Sequence, residues 1–72
     1  MLKYKRISNI DGVVRYEYYP DGDTTSPGII EFEKDGQPKL IQESKKDVKM
    51  YFALHAMNDI DVSKESGTIA WY

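Results

Sequence analysis

Residues 2–19 read Leu-Lys-Tyr-Lys-Arg-Ile-Ser-Asn-Ile-Asp-Gly-Val-Val-Arg-Tyr-Glu-Tyr-Tyr, and the Asp11-Gly12 pair at the middle of this stretch decides the fold. Asp-Gly supplies the positive φ angles of a tight two-residue turn, and the flanking Ile, Val and Tyr favour extended backbone. A second pair, Asp35-Gly36, stands between Gly28-Ile-Ile-Glu-Phe-Glu33 and Lys39-Leu-Ile-Gln-Glu43. Two antiparallel β-hairpins are therefore expected before residue 44.

With Asp11 and Gly12 at the two central turn positions, Ile10 faces Val13, Ile7 faces Tyr16, Arg6 faces Glu17 and Tyr4 faces Tyr19. Strands of about residues 2–9 and 13–19 follow. One face then carries Ile7, Val14, Tyr16 and Tyr18, and the other carries Leu2, Tyr4, Ile10, Val13 and Tyr19, so neither is plainly wet. In the second hairpin Ile30 and Phe32 alternate with Glu31 and Glu33, and a turn followed by a glycine bulge sets Glu31 across from Lys39 and Ile30 across from Leu40. Pro38 cannot donate to a ladder, which points to a sheet edge. Between the hairpins, Pro20-Asp-Gly-Asp-Thr-Thr-Ser-Pro-Gly28 is turn chemistry throughout and reads as a surface loop.

Ser44-Lys-Lys-Asp47 has the side-chain logic of a helix start, and a helix of about residues 45–59 is expected after it. Two apolar stripes compete for its buried face. Met50, Tyr51, Leu54 and Met57 form one; Val48, Phe52 and Ala56 form the other. The first is wider, and the second is flanked by Asp47, His55 and Asp59, so the first is taken as the core face. After the polar link Ser63-Lys-Glu-Ser-Gly67, Thr68-Ile-Ala-Trp-Tyr72 reads as a last strand tied into the sheet by its aromatic area. The expected fold is α+β: two hairpins and a C-terminal strand in one antiparallel sheet, a single helix across one face, order β-β-β-β-α-β. Residues 1–72 make one small domain.

The chain has no cysteine, which removes disulfide and thiolate chemistry and argues against zinc. Its longest uninterrupted aliphatic or aromatic run is Tyr51–Leu54, too short for a membrane span or a secretory core, and strand character already begins at Leu2. A cytoplasmic protein with no membrane association and no targeting segment is the expectation. Net charge is −2, unevenly placed. Residues 1–20 set Lys3, Lys5, Arg6 and Arg15 against Asp11 and Glu17, whereas residues 21–43 set only Lys34 and Lys39 against six acids.

Chemistry-bearing motifs do not survive inspection. Asp21-Gly-Asp23-x-Thr25 opens like a calcium loop, but Ser26 stands where the sharp turn needs glycine and Phe32 where a bidentate Glu is needed. Asp59 and Asp61 have no third ligand nearby. His55 is the only histidine and has no nucleophile to serve; the serines fall in turns and caps, and no glycine-rich loop opens a helix. No cofactor and no enzymatic activity are expected.

Six tyrosines, two phenylalanines and one tryptophan in 72 residues instead suggest a protein-interaction or regulatory module, self-association included. Aromatic anchors bury large area at low entropic cost. The candidate anchors are Tyr4, Tyr16, Tyr18, Tyr19, Phe52 and Trp71. The alternative is a weak binder of single-stranded nucleic acid using Lys3, Lys5, Arg6 and Arg15 among the tyrosines of the first hairpin. A pI of about 5.2 and the acidic second hairpin count against it.

Overall fold

The computed structural model describes residues 1–70. Five antiparallel strands form one sheet: β1 (Leu2–Ile10), β2 (Val13–Pro20), β3 (Gly28–Phe32), β4 (Pro38–Gln42) and β5 (Ser66–Ile69), in the spatial order β4-β3-β2-β1-β5. One helix, α1 (Tyr51–Asp59), lies across one face, preceded by a single 3₁₀ turn at Val48–Met50. The α+β architecture expected from the sequence is the architecture present. Asp11 and Gly12 both have positive φ, 54° and 83°, as a two-residue hairpin turn of this hand requires. Glu31 faces Lys39, Ile30 faces Leu40, and Pro38 lies on the edge strand β4.

The first hairpin departs from the simple register. Ile10–Val13, Asn9–Val14 and Ser8–Arg15 pair as the turn dictates, but the ladder slips at Ile7 and resumes with Arg6–Tyr16, Lys5–Glu17, Tyr4–Tyr18, Lys3–Tyr19 and Leu2–Pro20. Ile7 is a β-bulge. A one-residue slip exchanges the faces of everything beyond it, so Leu2 and Tyr4 move to the face that holds Tyr16 and Tyr18. All four are buried there with Ile30 and Phe32, while Ile7 is exposed. The core gains two large side chains for the loss of one ladder position.

Two glycines complete this face. Tyr4 pairs with Gly67 on one side and with Tyr18 on the other, and Tyr18 pairs in turn with Gly28. The row Gly67–Tyr4–Tyr18–Gly28 thus crosses four strands, with each ring lying over the neighbouring glycine. A Cβ on Gly28 would fall 2.1 Å from ring atoms of Tyr18.

The helix corrects two expectations. It starts at Tyr51, six residues later than expected, and it buries a stripe other than the one chosen from the sequence. Ala53, Ala56 and Ile60 are buried, and Phe52 and Met57 are packed against the core, whereas Met50, Tyr51 and Leu54 are exposed. The reason is volume. The sheet supplies Tyr4, Tyr16, Tyr18 and Phe32, with ring centroids of Tyr16 5.6 Å from Tyr4 and 6.0 Å from Phe32. Against so bulky a layer a helix packs closely only through small residues. Leu54→Ala is accordingly expected to change stability by less than about 0.5 kcal/mol, and Phe52→Ala to cost about 2 kcal/mol. Urea titrations of the two variants check this; a Leu54→Ala loss equal to that of Phe52→Ala would refute the helix orientation.

Candidate interaction surface

Tyr16 and Tyr18 bury their rings but keep their hydroxyls at the two ends of α1. Tyr18 accepts from the Ser44 amide (3.2 Å) and donates to Asp47 Oδ2 (3.2 Å). The buried Asp47 carboxylate also accepts from the amides of Phe52 (2.8 Å) and Ala53 (2.9 Å), which have no carbonyl partner in the first helical turn. Asp47 is therefore the cap of α1, reaching forward over the 3₁₀ turn. Ser44 has another role: its hydroxyl accepts from the Lys46 amide and donates to the Ser26 carbonyl, closing the loop onto the inter-hairpin segment. Beyond the helix, Tyr16 donates to the Lys64 carbonyl (2.6 Å), and Arg6 donates to the Val62 carbonyl (2.8 Å) with its guanidinium over the Tyr16 ring.

These latches fix the rotation of α1, and the rotation turns an apolar stripe outward. Val48 (72% exposed), Met50 and Leu54 (52%) stand on the surface. Tyr51, Leu54, His55 and Asn58, at helical spacing, line a shallow depression there, with the Tyr51 and His55 rings edge to face at 5.0 Å. The backbone beneath is strained. Lys49 and Met50 both adopt left-handed conformation, φ 59° and 60°, which residues other than glycine, asparagine or aspartate seldom occupy. Among the described residues, the other two non-glycine residues with positive φ are Asp11 and Asp21, each followed by glycine in a turn.

The opposite face of the sheet mixes charged pairs with exposed Ile10 and Ile41. Lys5 faces Glu17, Arg15 faces Glu31, and Glu31 faces Lys39, so charges alternate across the strands. Arg15 Nε donates to Glu31 Oε1 at 2.9 Å, and the Tyr19 hydroxyl donates to Glu17 at 2.8 Å.

Of the candidate anchors, Tyr4, Tyr16 and Tyr18 are core residues, closed to a partner in this fold. Tyr19 is half-buried on the charged face, Phe52 is half-buried beside the helix, and Trp71 lies outside the described residues. Of the candidate cations, Lys3, Lys5 and Arg15 share the outer face, but Arg6 belongs to the inner one and is held at Tyr16. The sequence reading named Leu54 and Met50 as core and so missed them as surface. The signal that could have found them is the pair Ala53 and Ala56, three apart, opposite a sheet strand with two tyrosines.

Asp23 accepts from the amide and hydroxyl of Thr25 and pairs with Lys46; these contacts hold its carboxyl well below the usual carboxylate range. No cluster of three metal-ligating side chains occurs among the described residues, and no helix among them is long and apolar enough to cross a membrane. No protein-family model, curated protein or solved structure matches the chain.

Burial pushes the Tyr18 phenol up to about 12 from its ordinary value of 10.0, with the neighbouring Asp47 carboxylate adding to the shift. The folded state thus favours the neutral phenol. Its contribution is fully present below pH 10 and is lost as the unfolded chain ionises first, between pH 10 and pH 12. Stability is expected to fall by about 2 to 3 kcal/mol over that interval from Tyr18, and Tyr18→Phe should flatten the slope. Urea midpoints measured from pH 9 to pH 12 test this; equal slopes in the two proteins would exclude Tyr18 as the cause.

Proposed function

We propose that this chain is a non-enzymatic protein-interaction module that binds through the apolar surface at the start and outer side of α1. The observation that carries the reading is the exposure of Val48, Met50 and Leu54 on one contiguous segment, over a backbone strained at Lys49 and Met50. Exposed apolar side chains carried on strained backbone are a common mark of a functional surface. Nucleic-acid binding is less well supported because Arg6 is turned inward and Arg15 is joined to Glu31.

The test compares capture from the source cell by the wild type, by Val48→Ser/Leu54→Ser and by Lys3→Ala/Lys5→Ala, with circular dichroism to verify that each is folded. A protein retained at moderate salt by the wild type and the lysine variant, but lost by the Val48/Leu54 variant, is the expected result. Retained oligonucleotide that dissociates steeply with salt and depends on Lys3 and Lys5 would overturn the reading.

A further inference from the structure

Residues 44–50 contain two helix starts, and the structure uses the second. At the first, the Ser44 hydroxyl accepts from the Lys46 amide at 3.2 Å and the Asp47 amide donates to the Ser44 carbonyl at 3.0 Å, which is a turn with its side-chain cap already in place. The turn goes no further. Asp47 is extended, with φ −91° and ψ 100°, and Lys49 and Met50 are left-handed, so α1 begins again at Tyr51 under the Asp47 carboxylate. Lysine and methionine form helices readily and seldom adopt left-handed backbone.

We infer that residues 44–50 are a conformational switch, in which α1 lengthens back to Lys45 when the Tyr18 hydroxyl lets go. With Asp47, Lys49 and Met50 turned helical, the Phe52 and Ala53 amides bond the Val48 and Lys49 carbonyls four residues back in place of the Asp47 carboxylate. Asp47, then third in the helix, is placed to accept from the Ser44 amide. Among these groups only the Tyr18 hydroxyl is left without partners, since it gives up both the Ser44 amide and Asp47. It is the group that selects the short helix. Lys49 adds to the selection, because a continuous helix sets it in line with Ala53 and Ala56, which face the sheet. The switch governs Val48. In the short state it is 72% exposed, whereas in the long one it stands in line with Phe52 and Ala56, on the side packed against the core. Lengthening α1 thus withdraws part of the apolar surface, and a partner that takes Val48 favours the short helix. Only that last step rests on the interaction-module reading.

Tyr18→Phe keeps the ring and removes the hydroxyl, and it should raise the population of the long helix about tenfold. Relaxation-dispersion NMR of the full chain reads that population as exchange at residues 45–50 towards helical Cα shifts. Glycine at the two left-handed positions, Lys49→Gly/Met50→Gly, should do the opposite. The exchange disappears when it is added to Tyr18→Phe, and on its own it raises the urea midpoint above that of the wild type, although glycine inside a helix lowers it. A Tyr18→Phe protein whose Lys49 and Met50 show no exchange towards helical shifts overturns the switch. So does a glycine variant with a lower urea midpoint than the wild type, because the two residues would then not be held left-handed. The glycine variant keeps Tyr18 and decides the matter even where loss of the hydroxyl unfolds the chain. A failed switch leaves the capture result with Val48→Ser/Leu54→Ser untouched, and that result alone decides the interaction-module reading.

Discussion

Gly28→Ala is expected to remove a large part of the protein's stability, about 4 kcal/mol. The added methyl would sit 2.1 Å from two ring atoms of Tyr18 and 2.5 Å from its hydroxyl oxygen. Tyr18 has nowhere to go. It is fully buried, it is held by the Ser44 amide and Asp47, and the ring of Tyr4 stands in the paired position on its other side. Relief requires either the strands to part or the Tyr18 latch to break, and the cost is about 4 kcal/mol. A domain of this length has a total stability of roughly 4 to 11 kcal/mol, so the substitution removes a large part of it. Gly67→Ala tests the other end of the same row and should cost less, because β5 is a short edge strand. Denaturant titration of both variants measures this. A Gly28→Ala midpoint equal to that of the wild type would show that the ring does not lie over the glycine.

Asp47→Ala should be almost as damaging, at about 4 kcal/mol, although the residue is one aspartate in a polar linker. Its carboxylate serves three donors at once: the amides of Phe52 and Ala53 and the hydroxyl of Tyr18. Losing the cap costs about 1 kcal/mol per amide, and a buried phenol left without its acceptor costs a further 1 to 3 kcal/mol. Asp47→Asn keeps one acceptor oxygen and should fall between the two. Thermal melts of the three proteins test the argument. Losing less than about 1 kcal/mol in Asp47→Ala would mean that the helix start is held by something other than this side chain.

Those two residues mark the boundary of what could be read from the chain. Gly28 was legible as a strand start and Asp47 as part of a helix start, but their partners were not. Both partners are the phenol of Tyr18, 10 residues from one and 29 from the other in sequence, and a local pattern carries no information about contacts over that separation. The exposed apolar surface was hidden for a related reason. Met50, Tyr51 and Leu54 have the spacing of a core stripe, and the small residues Ala53 and Ala56 tell against it only once the bulk of the facing sheet is known. What distinguishes them is the volume already occupied on the sheet.

The sequence by itself determined the turns, the two hairpins, the edge position of β4 and the existence of a single helix, because each of these depends on φ preference, strand propensity or local periodicity; the closing strand, expected over residues 68–72, instead runs over Ser66–Ile69 and takes in two residues of the expected link. Tertiary structure decided the bulge at Ile7, the face of α1 that is buried and the strained backbone at Lys49 and Met50. Each of those is settled by packing between distant segments: only a slipped ladder brings Leu2 and Tyr4 beside Tyr16 and Tyr18, and α1 turns Ala53 and Ala56 to the core that those four help to build, with Phe52 and Met57 at its flanks.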